Sequence, residues 1–211
     1  YYDTLYREEA WGRTLWEFKL LFPTTASPAN LHDADAFAKY YPYSYFYEKV
    51  KAFDDSIANE RKALPGKINI DTKDYNSLSE IFNAMSGRYF FIDVWATWCG
   101  PCIEQFNSYT RLSKFLDEKN ISEVFFSVDK NENSEAWQNF IKAQHLAGNH
   151  FIISDKIQKD LFQILSKDKK EADFFIPRYL LYDKQLDKYY TDLPRPNTGI
   201  ILESVINDIV K

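Results

Sequence analysis

The spacing of apolar positions along the chain changes near residue 66. Before it, apolar side chains recur at helical intervals over residues 11–22 and again over 46–64, which predicts two helices. After it, short continuous apolar runs alternate with amphipathic stretches, the pattern of strands that alternate with helices. The sequence therefore predicts an N-terminal helical region over residues 1–65 and an α/β domain over residues 66–211.

The predicted α/β domain contains a mixed sheet flanked by helices, because continuous apolar strands need cover on both faces. The last two strands are separated by Asp183-Lys184-Gln185, which predicts an antiparallel hairpin. The predicted strands are 67–71, 88–95, 124–128, 151–153, 178–182 and 188–191, and the predicted helices are 77–85, 100–119, 133–146, 156–165 and 200–210.

The stretch Phe90 to Cys102 carries the clearest chemistry. An apolar, β-branched and aromatic run predicts a buried strand, and Cys99-Gly100-Pro101-Cys102 follows it where a helix begins. Unpaired N–H groups and the helix dipole favour a thiolate there, so we expect the pKa of Cys99 to fall to about 3.5–7.5. Pro101 suits the first helical turn, where its missing N–H is not needed. Cys102 returns to the same face three residues on, so the two sulfurs can close or open a disulfide.

One carboxylate interrupts the apolar motif strand. Asp93 lies six residues before Cys99, and burial of a carboxylate there should raise its pKa. A perturbed acid close to a thiol pair is a candidate for proton transfer. The alternative interpretation is that Asp93 faces solvent or caps a turn.

The run Trp95 to Cys102, Trp-Ala-Thr-Trp-Cys-Gly-Pro-Cys, resembles the thioredoxin superfamily. A second segment, Ile176-Pro177-Arg178-Tyr179-Leu180, is similar to the strand of that superfamily that begins with a cis-proline. The resemblance covers residues 66 to 211 and implies a thioredoxin-like fold. It also implies that Ile176 and Pro177 face the cysteines and that the Ile176 backbone binds an extended substrate segment.

The same resemblance implies a role for each motif residue. Cys99 is expected to attack a substrate disulfide, and Cys102 is expected to resolve the mixed disulfide. Asp93 would accept the proton of the resolving cysteine. Trp98 would shield the site and shape the substrate surface, with Gly100 and Pro101 as supporting residues.

The distance between the two signatures narrows the resemblance to one branch. Seventy-four residues separate Cys102 from Pro177, and the extra helix and strand over 133–153 are similar to the TlpA/ResA-like branch. That branch comprises exported thiol-disulfide oxidoreductases of bacterial cell envelopes, which implies an envelope or periplasmic location; a cytoplasmic location is the alternative. Because the sequence opens without Met, we expect it to be a processed form or a piece of a longer protein.

Three positions depart from the patterns of these relatives. Gln105, with Glu104 beside it, stands where the branch often has Glu. Asn107 stands where many relatives have Pro, so the motif helix is expected to run without their kink. Phe125 replaces the Lys that partners the buried acid in thioredoxins.

Composition excludes several other functions. The net charge of −5, without a basic stripe, excludes a nucleic-acid surface. No apolar run is long enough to span a bilayer. The only two Cys lie in the motif, and His32, His145 and His150 lack the spacing of zinc ligands, so neither a disulfide framework nor a metal site is predicted. No cofactor beyond the redox-active disulfide is expected.

The predicted activity is thiol–disulfide exchange with protein thiols and disulfides, as a reductase or isomerase supplied by an upstream thiol reductant. One alternative is a redox-linked interaction module of a larger envelope assembly. Its partner would dock on residues 40–47, which hold six aromatics in eight positions and could equally pack in a core. A thiol peroxidase is the lesser alternative, because Ile92 and Ala96 stand where peroxiredoxins need Pro and Thr.

Overall fold

The structure of the protein is a computed structural model that describes residue 59, residues 66–166 and residues 175–210. The predicted helical region over 1–65 lies almost entirely outside the described residues. The aromatic segment 40–47 lies outside them as well, so the interaction-module alternative stays a prediction.

Strands and helices alternate along the described chain, as the sequence predicts. The strands are β1 (Ile68–Asp71), β2 (Tyr89–Trp95), β3 (Ile121–Ser127), β4 (Gly148–Ile152), β5 (Arg178–Asp183) and β6 (Lys188–Tyr190). The helices are α1 (Leu78–Ala84), α2 (Gly100–Gln105), α3 (Tyr109–Glu118), α4 (Ser134–Ala143), α5 (Asp155–Ser166) and α6 (Ile200–Ile209), and 3₁₀ turns cover Phe106–Ser108, Asn131–Asn133 and Pro196–Thr198.

The six strands form one mixed sheet in the order β1-β4-β3-β2-β5-β6. The first four strands in that order run parallel, whereas β5 is antiparallel to β2 and β6 is antiparallel to β5. The predicted mixed sheet with a terminal hairpin is therefore confirmed, and the fold is thioredoxin-like. The motif strand β2 lies between β3 and β5, and all seven of its residues are buried.

The two faces of β2 enter different cores. Phe90, Ile92 and Val94 point into an apolar cluster with residues of α1 and α5, such as Phe82 and Leu161. The alternate residues Phe91, Asp93 and Trp95 must therefore point to the opposite face. That second face is aromatic, and its ring pairs are Phe91–Tyr179, Trp95–Phe106, Trp95–Phe140 and Tyr109–Phe125. The acid of the motif strand thus lies in aromatic surroundings.

The predicted continuous helix over 100–119 was wrong, because a 3₁₀ turn at Phe106–Ser108 separates α2 from α3. The interruption occurs although Asn107 stands where relatives have Pro. The interruption is explained by four buried residues that follow one another at intervals of three: Ile103, Phe106, Tyr109 and Leu112. An α-helix would carry such a series around its axis, whereas a 3₁₀ turn, with about three residues per turn, stacks it on one side.

Smaller corrections concern where elements begin and end. Helix α1 was predicted over 77–85. It begins after Ser77, whose hydroxyl accepts the N–H of Glu80 at 3.2 Å, and it ends at Ala84, with Met85 as its C-cap. Strand β4 begins at Gly148, earlier than predicted. A Cβ on Gly148 would lie 2.7 Å from Phe125 Cε2, and its φ of +132° suits only glycine.

Candidate active site

The two cysteines lie where β2 passes into α2. Cys99 is the N-cap of α2, and its Sγ accepts the N–H of Cys102 at 3.3 Å. The two residues form a disulfide with their Cα atoms 5.3 Å apart. Cys99 is 5% exposed and Cys102 is 0% exposed, so only Cys99 can be reached from solvent. A thiolate at Cys99 would receive the same N–H and the positive end of the helix dipole.

The other predicted motif residues differ in exposure and in their position along the chain. Trp98 is 68% exposed and adds apolar surface next to Cys99, whereas Trp95 is fully buried in the aromatic face. Gly100 is the first residue of α2, and Pro101 lies in its first turn. Pro101 therefore occupies a position where no N–H is required.

Ile176 and Pro177 lie at the same edge of the sheet as the cysteine motif. The last pair of the antiparallel ladder between β2 and β5 joins Val94 to Arg178, so Pro177 follows at the end of β2 that leads to the cysteines. The peptide bond between Ile176 and Pro177 is cis. Pro177 is buried and Ile176 is half-buried.

Asp93 is buried, with 1% of its surface exposed, which excludes the alternative of a solvent-facing or turn-capping residue. The phenol of Tyr109 donates to Asp93 Oδ2 at 2.5 Å. Asp93 Oδ1 has no hydrogen-bond partner among the described residues. Burial raises the pKa of Asp93 from 3.8 to about 7, although the hydrogen bond from Tyr109 opposes part of that change. A carboxyl group with such a pKa can exchange a proton near neutrality.

The loop before Cys99 is held by a residue that sequence reasoning missed. Buried Asp129 accepts the backbone N–H of Thr97 at 2.8 Å and the Thr97 hydroxyl at 2.7 Å. The hydroxyl of Ser127 donates to the same carboxylate at 2.7 Å. The available signal was a Ser and an Asp closing the apolar strand next to the motif strand. Asp129 thereby fixes the backbone two residues before Cys99.

Comparison with known proteins identifies the family of this chain. A family model described as Redoxin matches residues 68–195, more than half of the chain. The chain belongs to the Redoxin family. The fold of the matched region is thioredoxin-like, and the predicted membership of the thioredoxin superfamily is confirmed.

Three solved structures are similar to the Redoxin domain. A protein from Bacteroides vulgatus assigned as a thiol-disulfide oxidoreductase is 30% identical over 59% of this chain and 78% of that chain, with a TM-score of 0.44. A thiol:disulfide interchange protein from Bacteroides sp. is 18% identical over 59% and 74%, with a TM-score of 0.44. A thioredoxin-related protein from Neisseria meningitidis is 17% identical over 61% and 86%, with a TM-score of 0.41. A comparison with curated proteins finds no match.

The departure at Gln105 has a structural role in the Redoxin domain. Gln105 is buried, and its Oε1 accepts the N–H of Asn197 at 3.1 Å. Asn197 lies in the 3₁₀ turn before α6, so the neutral amide ties the end of α2 to that turn. A carboxylate on this helix is found instead at half-exposed Glu104.

The described part of the Redoxin domain shows no site for a metal. Within residues 66–166 and 175–210, no three His, Cys, Asp or Glu side chains come together as ligands would. The helices of this part are too short or too polar to cross a bilayer.

Proposed function

We propose that the protein exchanges disulfides with protein substrates, as a reductase or isomerase, through Cys99 and Cys102. The observation that carries the proposal is the position of Cys99 at the N-terminus of α2, where it is the more exposed sulfur and accepts an N–H. That position favours its thiolate, which is the attacking species in disulfide exchange. Buried Cys102 is then the resolving thiol.

The proposed reaction has two steps. The Cys99 thiolate attacks one sulfur of a substrate disulfide, and the other substrate sulfur leaves as a thiolate. Cys102 then gives its proton to the Asp93 carboxylate and attacks Cys99. The Cys99–Cys102 disulfide closes and the second substrate thiolate leaves, so the substrate gains two electrons and the protein loses two. An upstream thiol reductant restores the two thiols, and no cofactor is needed.

The substrate surface in this proposal consists of Trp98, Ile176 and Pro177. Exposed Trp98 offers an apolar face beside Cys99. Pro177 stands at the adjacent end of β5, and the Ile176 backbone would pair with an extended substrate segment. Gly100 and Pro101 would keep the first turn of α2 in the conformation that aims its N–H groups at the sulfur.

We infer a bacterial envelope or periplasmic location and a place in the TlpA/ResA-like branch. The support is the resemblance of the motif and of the insertion over 133–153 to exported oxidoreductases. Location in the cytoplasm is the alternative, and a fusion of the full-length protein to a reporter that fluoresces only in one compartment would decide between them.

A trapping experiment tests the activity and names the substrates. In Cys102→Ser the resolving thiol is lost, so mixed disulfides should accumulate on Cys99 and be released by reductant. Cys99→Ser is the matched control and should trap none. In a dithiothreitol-supported insulin reduction assay, each variant should lose most of the wild-type rate. Equal trapping by both variants, or an undiminished rate in Cys99→Ser, would contradict the proposal.

A further inference from the structure

Three buried polar side chains from three elements meet on the aromatic face of the sheet. Asp93 lies on β2, Tyr109 is the first residue of α3, and Tyr179 is the register partner of Asp93 on β5. They are 1%, 2% and 2% exposed. Because side chains of paired residues share one face of a sheet, Tyr179 is an immediate neighbour of the carboxyl group.

The hydrogen bonds in this group are incomplete. Tyr109 donates to Asp93 Oδ2. Asp93 Oδ1 and the hydroxyl of Tyr179 are both buried, and neither has a hydrogen-bond partner among the described residues. Asp93 Oδ1 is thus a buried acceptor without a donor, and the Tyr179 hydroxyl is a buried donor without an acceptor, among the described residues. Native proteins seldom leave such buried groups unpaired.

Both phenols keep their protons over the range in which Asp93 changes charge. Burial, with the nearby Asp93, raises the pKa of Tyr109 and of Tyr179 well above 10. Each can therefore act only as an O–H donor toward the carboxylate. The neutral form of Asp93 needs one such donor at most, whereas its charged form can accept from both.

The other titratable groups around Asp93 offer no positive charge to stabilise its carboxylate. Glu123 on β3 is half-buried, and burial raises its pKa to about 8, so near pH 7 it is mostly neutral and carries no positive charge. His150 on β4 stacks on Phe125, and burial lowers its pKa to about 4, so it is neutral near pH 7. Exposed Arg195 acts on Tyr179 rather than directly on the acid. Cys102 on α2 is the proton donor itself.

We propose that Tyr109 is the positioning residue for Asp93 and that Tyr179 is its second donor, so that two phenols stabilise the carboxylate in place of a cationic partner. The inference rests on the proposed function in one respect, namely that Asp93 accepts the proton of Cys102. The 3₁₀ turn at Phe106–Ser108 contributes to this arrangement, because it immediately precedes Tyr109 and orients its side chain toward the carboxyl group of Asp93.

The titration of Asp93 tests the arrangement without requiring activity. In oxidised protein labelled with ¹³C-aspartate, and with Asp93→Asn to assign the signal, the midpoint for Asp93 is measured in Tyr109→Phe and Tyr179→Phe. Loss of one hydrogen bond to a charged group should move the midpoint to higher pH by about 1–2 units for Tyr109→Phe and by about 1 unit for Tyr179→Phe. Tyr182→Phe, on the opposite face of β5 and bonded to Asp187, is the control and should cause no change.

A kinetic experiment measures how Asp93 affects the attack by Cys102. Cys99 of the reduced protein attacks dithiobis(nitrobenzoate) and releases one coloured thiolate. Attack by Cys102 on the resulting mixed disulfide then releases a second coloured thiolate, and the rate of this second release is measured. The pH midpoint of that rate should move with the midpoint of Asp93 in each variant. A merely structural role for the tyrosines would lower the rate at every pH without moving the midpoint.

The outcomes separate this inference from the proposed function. An unchanged Asp93 midpoint in Tyr109→Phe overturns the role of Tyr109, and an unchanged midpoint in Tyr179→Phe overturns the second donor. If the midpoints move but Cys102 releases no second thiolate, the arrangement stands and the proposed function fails. Should Tyr109→Phe not fold, fluorotyrosine at position 109 keeps the shape and donates more strongly, so a midpoint that does not move to lower pH then overturns the inference.

Discussion

Asp129 accepts both polar hydrogens that Thr97 offers, the backbone N–H at 2.8 Å and the hydroxyl at 2.7 Å, across 32 residues of chain. Asp129→Ala should remove the acceptor for both bonds and for Ser127. We expect the free energy of unfolding to fall by about 2–4 kcal/mol and disulfide exchange to slow. Thr97→Val is the matched comparison, because it removes only the hydroxyl bond and should cost about 1 kcal/mol. Urea unfolding curves measure both, and equal losses would contradict the bonding described.

Burial of Asp93 makes the free energy of unfolding depend on pH between about 4 and neutrality. Its folded-state pKa is raised from 3.8 to about 7, so the folded protein holds the proton more tightly than the unfolded chain does. Its contribution to stability is complete below pH 3.8 and is lost as the pH rises through 7. The stability of Asp93→Asn relative to wild type should therefore increase by roughly 2–4 kcal/mol between pH 4 and pH 8. A difference that stays constant over this range would contradict a buried acid.

His150 should have the opposite pH dependence. Burial lowers its pKa from 6.5 to about 4, so the unfolded chain binds the proton more tightly and stability is lost as the pH falls from 6.5 to 4. His150→Phe keeps a ring against Phe125 but cannot be protonated. On acidification from pH 7 to pH 4 the variant should lose up to about 3 kcal/mol less stability than wild type. Unfolding measured at both pH values tests this, and parallel losses would contradict it.

Gly148 and Gly87 provide a matched test of close packing between β4 and β3. Both have positive φ angles that suit glycine, +132° and +109°. A Cβ at Gly148 would lie 2.7 Å from Phe125 Cε2, whereas the nearest atom to a Cβ at Gly87 would be 3.4 Å away. Gly87→Ala should cost about 1–2 kcal/mol, and Gly148→Ala should cost about 1–3 kcal/mol more because of the clash. Equal thermal stability of the two variants would show that Phe125 can move aside.

Local patterns in the sequence account for most of the fold and for the cysteine pair. The alternation of apolar runs predicted the order of strands and helices, and the turn over 183–185 predicted the hairpin of β5 and β6. The Cys99–Cys102 spacing alone places two sulfurs on one helical turn, and the lone acid in an apolar strand marks Asp93. Each of these signals lies within a few residues of the feature that it predicts.

The partners of these residues could not be predicted in the same way. Tyr109 reaches Asp93, and Asp129 reaches Thr97, only because of the register of β2 with β3 and the packing of α3 on the sheet. The 3₁₀ turn at Phe106–Ser108 was not predicted, because the only expected cause of a kink was a Pro at the position of Asn107. Its cause is instead the three-residue repeat of buried side chains from Ile103 to Leu112, which acts only once they pack against the sheet.

Cys99 is nearer to the surface than Asp93, and this difference separates the electron transfer from the proton transfer in the proposed reaction. Electrons are exchanged near the surface, where a bulky substrate can contact the more accessible cysteine. The accompanying proton is transferred in the interior, to a carboxyl group that is buried away from the substrate. Substrates of very different shape can therefore use one proton acceptor, because the protein rather than the substrate supplies it.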